Sequence, residues 1–187
     1  MTPTAEAYIR LQNCGLSLRK QTLLVRGFGS ADAVFEAPEG ELPLHCERIT
    51  RTDIQAIHFG SRMDVTEYMD QLQDLGVTVV GYGMAGYPRL LAETDDPSPM
   101  LYARGEFTRA DDLAIAIVGT RRCTSYGQDI TEKLATGLAR RGFTVVSGLA
   151  VGIDAHAHRA ALAAGGRSIG VMAYGIDYDY SESHQTT

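Results

Sequence analysis

The residues TVVSGLAVGIDAHAH, Thr144 to His158, decide how this 187-residue chain folds. A β-branched run leads into a Ser-Gly turn, a second glycine follows at Gly152, and an Asp-led, alanine-rich run comes next. That order reads as a strand, a glycine-punctuated loop and a helix start, the geometry that cradles phosphate.

Upstream, LAIAIV (113–118) is a continuous apolar run stopped by Gly119. Gln128 to Arg141 carries Ile130, Leu134 and Leu138 at i, i+4 and i+8 and closes at Gly142, as a helix does. FTVVS (143–147) is a second strand and Asp154 to Ala164 a second helix, closed by Gly165-Gly166, before a third strand, SIGVMA (168–173). The pattern is β-α-β-α-β, and continuous rather than alternating strands predict a parallel sheet covered on both faces. The expected fold class is α/β, a partial Rossmann-like doubly wound sheet.

The first 72 residues read as helical. Ala5 to Cys14 is one helix ended by Gly15, and Ser17 caps LRKQTLLVR, ended by Gly27. Glycines at positions 15, 27 and 29 suggest a sterile-alpha-motif or helix-hairpin-helix type of bundle, able to touch a DNA backbone or simply to pack. A polar connector (36–44) leads to helices over 52–59 and 65–75, then a short strand, VTVV (77–80), and an irregular Gly/Pro-rich stretch. The expected domains are 1–72, helical, and 73–187, Rossmann-like.

Composition narrows the function classes. Hydrophobic residues make up 44% and charged residues 21%, an ordinary globular balance, and no apolar run approaches a membrane span. The N-terminus has no signal-like apolar region, so a cytoplasmic protein with free thiols is expected. Cys14, Cys46 and Cys123 form no C-x-x-C pair, which argues against zinc and disulfides. Net charge is −6, yet Gly119 to Gly170 holds seven Lys/Arg against three Asp/Glu. The basic segment is the one with the glycine loops.

In such sheets ligands sit at the C-terminal strand ends. There the sequence places Gly119-Thr120-Arg121, then Ser147-Gly148-Leu149 with Gly152 and Asp154, then Tyr174 to Asp177. Arg121 occupies the second glycine position of G-x-G-x-x-G, and no acidic residue ends the second strand, which excludes NAD; no G-x-x-x-x-G-K-[ST] loop is present for ATP. No cofactor is expected. What remains suits a phosphodiester: small residues for close approach, helix N-termini and a guanidinium. Asp154 reads first as a helix N-cap, Ser147 as a phosphate donor or turn residue, and His158 as a structural histidine. His156 and His158 point to different sides and form no metal pair.

These residues resemble the DNA-processing protein A (DprA/Smf) family. The resemblance lies in Tyr87-Pro88-x-x-Leu91, Asp96-Pro97-x-Pro99-x-Leu101-Tyr102-x-x-Gly105, Ala116-Ile117-Val118-Gly119-Thr120-Arg121, Tyr126-Gly127, Val146 to His158, and Gly165-Gly166. It implies a non-enzymatic, homodimeric protein of natural transformation. Such a protein binds single-stranded DNA, protects it, helps displace single-strand-binding protein and loads RecA. By carry-over Arg121 holds phosphate, while Ser147, Gly148 and Gly152 offer amides and close approach. The family has Lys or Arg where this chain has Val151, and Tyr-Pro-x-x-Asn where this chain has residues from Tyr180 to His184. Because the family's sheet continues beyond the point matching Thr187, the chain reads as truncated within the Rossmann-like domain or as a short divergent homologue. Two other readings stand beside this one. A nucleoside monophosphate N-glycosidase would need a loop glutamate, where only mid-helix Glu132 is found. The last is a partner-binding fragment without DNA binding.

Overall fold

The computed structural model describes residues 3–177. The chain forms two compact units, Met1–Phe107 and Thr108–Thr187. The division lies beyond the expected boundary at 72/73, because residues 78–81 pair with residues 100–103 and pack against Tyr8 of the first helix.

The first unit starts with six helices: α1 (Ala5–Asn13), α2 (Leu18–Phe28), α3 (Ala31–Glu36), α4 (Leu42–His45), α5 (Arg51–Gly60) and α6 (Thr66–Asp74). Their starts are locally encoded. The Thr4 and Ser30 hydroxyls accept from the Ala7 and Ala33 amides, and Thr50 with Asp53 closes a capping box. Tyr8, Ile9, Leu11, Leu24, Val25, Val34, Leu42 and Ile57 bury almost completely to form the core. Gly27 does not end the second helix as expected; α2 runs through it and stops at Gly29, in the left-handed region at φ 88°. Gly27 is there for packing, since a Cβ would lie 2.3 Å from the His45 ring.

β1 (Thr78–Gly81) pairs antiparallel with β2 (Met100–Ala103), Thr78 opposite Ala103. A one-turn helix, α7 (Arg89–Ala92), lies between them. The stretch expected to be irregular thus holds a strand, hidden in sequence because MLYA is short and follows Pro97 and Pro99. The Tyr8 ring lies on Gly81, and its hydroxyl donates to the Tyr82 carbonyl. Burial pushes the Tyr8 phenol up to about 12. This contact ties the ladder to α1.

The second unit runs from a 3-10 turn (Arg109–Leu113) through β3 (Ala114–Ala116), α8 (Ser125–Ala139), β4 (Thr144–Ser147) and α9 (Ile153–Ala163) to β5 (Ser168–Gly170). All three strands are parallel in the order β3-β4-β5, as the β-α-β-α-β pattern predicts. Val145 is fully buried among Ala135 and Ala139 of α8 and Ala157, Ala160 and Ala161 of α9. One side chain faces one side of a sheet, so both helices share that face. The expected cover on the other face is not found among the described residues of this unit: Val118 is 70% and Val171 58% exposed. The apolar stripe of α8 also differs from expectation. Ile130 and Leu134 are exposed, while Thr131, Ala135 and Ala139 are buried, because the two helices pack closely through small side chains.

A buried carboxylate anchors the start of this unit. Asp111, 8% exposed, accepts from Arg167 Nε at 2.6 Å and Nη2 at 3.0 Å, Thr144 Oγ1 at 2.9 Å and the Thr108 amide at 2.7 Å. Burial pushes its carboxyl upward, but the Arg167, Thr108 and Thr144 bonds outweigh that and hold it below the ordinary range. Because the folded pKa is depressed, its stabilisation is present above the unfolded value near 3.9 and is lost as pH falls through the folded value. Asp111→Asn is expected to cost about 2–3 kcal/mol at neutral pH and to flatten the loss of stability below pH ~4, measured by denaturant unfolding across pH.

Candidate nucleic-acid interface

Parallel β3, β4 and β5 bring their C-terminal ends to one rim, and there the loops after β3 and β4 interlock. The Thr120 carbonyl accepts from the Ile153 amide at 3.2 Å, bridging the first loop to the start of α9. Gly152, at φ 87° and ψ −134°, is the α9 N-cap; a Cβ there would lie 2.3 Å from the Thr120 carbonyl oxygen. Only glycine satisfies both demands. At Gly119 a Cβ would lie 2.7 Å from the Ile153 side chain.

The sequence-derived site residues come together here, but not all in the expected roles. Asp154 does not cap its helix. Its carboxylate, on a residue 7% exposed, reaches back to accept from the Gly119 amide at Oδ1 and the Gly148 amide at Oδ2, each at 3.2 Å. Gly148 therefore does not offer its amide outward, contrary to the carry-over. Ser147 is 2% exposed and donates to the Ile117 carbonyl at 2.6 Å, so it ties β4 to the end of β3 rather than facing a ligand. Leu149 sits at φ 53°, and its side chain lies against Gly170. The Thr120 hydroxyl accepts from the Arg122 amide at 3.2 Å and folds the first loop back on itself. Arg121 and Arg122 stand exposed, with no ion pair or side-chain hydrogen bond among the described residues. Sequence reading overlooked Ile153, whose side chain and amide both meet the first loop. The signal was there, in an apolar residue set between Gly152 and Asp154.

Behind the rim, Ser168 Oγ donates to the Val145 carbonyl at 3.0 Å, leaving a lone pair for His158 Nδ1 at 2.7 Å. Nδ1 thus carries the proton, and Nε2 is buried without a partner among the described residues. Burial pushes His158 below its ordinary range, while the Asp154 charge and the Ser147 carbonyl pull it upward. His158 sits behind the rim on Ser168, but it is not the fully satisfied histidine expected, since its Nε2 is unpaired among the described residues. His156 binds Glu132 at 2.8 Å between α8 and α9, so that carboxylate is engaged by a side chain of the first turn of α9. The expectation on Tyr180 to His184 lies outside the described residues.

Against this geometry, the family model described as DNA recombination-mediator protein A matches residues 78–187. The chain belongs to that family. Among relatives of the mediator family, the DNA processing protein DprA of Bacillus subtilis is 32% identical over 140 residues, covering 72% of this chain and 47% of its own. A relative from Mycobacterium tuberculosis with the same DprA name is 32% identical over 97% of this chain and 49% of its own. Protein Smf of Synechocystis is 44% identical over 98 residues, 50% of this chain and 25% of its own. The chain thus spans half or less of these curated relatives. The X-ray structure of Streptococcus pneumoniae DprA matches 99% of this chain and 63% of its own, with a TM-score of 0.73 at 24% identity, which shows a shared fold. Among the described residues no helix is long and apolar enough to cross a membrane.

Two outcomes test the interlock. Gly152→Ala, facing both strain and the Thr120 carbonyl, is expected to destabilise the second unit by about 2–4 kcal/mol, read from the urea midpoint. The His158 pKa is lowered in the fold, so stability is expected to fall as pH drops below the unfolded value near 6.5. His158→Gln should flatten that segment of the curve.

Proposed function

We propose that this chain binds single-stranded DNA with little sequence preference and serves as a recombination mediator. The observation that carries this reading is the exposed pair Arg121 and Arg122 on the loop packed against Gly152 at the start of α9. Among the described residues the amides of residues 149–152 donate no hydrogen bond, so this loop keeps backbone donors for a ligand. Guanidinium and helix-terminal amides suit a phosphodiester chain, and the basic segment from Gly119 to Gly170 supplies the charge. Gly119, Thr120, Ser147, Gly148 and Asp154 shape the loops, while Arg121, Leu149 and Gly152 meet the strand. Membership in the mediator family supports this role. The finer expectations belong to the same proposal: action in the cytoplasm during natural transformation, loading of RecA as single-strand-binding protein is displaced, and work as a homodimer without catalysis.

Anisotropy titrations with a single-stranded and a duplex oligonucleotide, at low and high salt, test the reading. Tight binding to the duplex but not to the single strand would overturn it. In the same assay Arg121→Ala should weaken binding and make the slope of log affinity against log salt shallower by about 0.7; Val151→Lys should steepen it by about as much.

A further inference from the structure

We infer that the Asp154 carboxylate is an internal anion, occupying the place between the glycine loops where two backbone amides converge, and that it fixes the spacing at which the rim meets DNA. The inference rests on the DNA-binding reading above and deepens it. Two amides from two different loops, Gly119 and Gly148, donate to the two oxygens of one carboxylate. Convergent amides of this kind bind phosphate in other folds, and here both are taken.

The glycines follow from the same arrangement. A Cβ at Gly148 would stand 2.8 Å from Asp154 Oδ2, and one at Gly119 would strike Ile153, the residue before the carboxylate. Small residues that read as room for a ligand are room for Asp154 at Gly148 and for Ile153 at Gly119. The carboxylate lies in the first turn of α9, where the helix dipole favours negative charge. Among the described residues only one backbone bond, Ile153 to Thr120, joins these two loops besides the carboxylate. Asp154 is therefore a positioning residue. It stays off the DNA and sets where Arg121 stands relative to the amides of residues 149–152.

The test compares the full chain with Asp154→Ala and Asp154→Asn by anisotropy on a labelled single-stranded oligonucleotide, while the Gly119 and Gly148 amide resonances are followed by NMR. Asp154→Ala is expected to weaken binding roughly tenfold and shift both resonances, the scale of losing charge-assisted contacts. Formate fits the place left by the carboxylate and should restore both affinity and resonances; chloride at equal ionic strength should restore neither. Asp154→Asn, with one acceptor oxygen, should fall between and covers the case in which the alanine variant does not fold. Wild-type affinity in either folded variant overturns the inference, as does formate that restores the resonances without the affinity. If the wild-type chain binds no single strand, the DNA reading fails, and the resonances alone still decide whether the carboxylate holds the loops.

Discussion

Two backbone N–H groups converging on one buried carboxylate hold the rim of the second unit in its shape. Taking an ion out of water is costly, and the cost is offset only if its lone pairs find donors. The Gly119 and Gly148 amides supply those donors from the loops that follow two strands lying side by side. Neither loop can drift without stranding a charge, so the parallel sheet and the first turn of α9 lock each other. The glycines at 119, 148 and 152 are then steric consequences of loops packed within a van der Waals contact of one another.

That lock is only as accurate as the platform beneath it. Alanines at 135, 139, 157, 160 and 161 surround Val145, and at Gly166 a Cβ would stand 2.5 Å from that of Ala139. Small, stiff side chains let the helices approach each other and the sheet closely, with few rotamers to rearrange. At the opposite end Asp111 fastens the 3-10 turn, β4 and the entry to β5 through Thr144 and Arg167. One buried carboxylate thus secures each end of the unit.

The parallel α/β order was legible because β-branched runs and glycine stops repeat along the second half of the chain. The rim residues were legible as a group, since they fall at strand ends. Their roles were not. Asp154 lies beside a helix start and so reads as a cap, and nothing in the sequence says that its carboxylate turns back 35 residues in the chain to Gly119. The face of α8 was misread because leucine weighs more than alanine in a periodic pattern, whereas the space between two close helices admits only alanine. β2 was hidden by its length, as four residues just after Pro97 and Pro99 give no period to detect.

Leu149 gives the rim one more property. A leucine held in the left-handed region carries strain of roughly 1–3 kcal/mol. It is kept there by its fit against Gly170, where even a single methyl would stand 2.5 Å from its Cγ. The loop is therefore a sprung hook caught on the flat back of β5. A slip of that strand by one residue would bring Val171 under the hook in place of glycine. The register of β5 against β4 is in this way matched to the shape of the loop that follows β4.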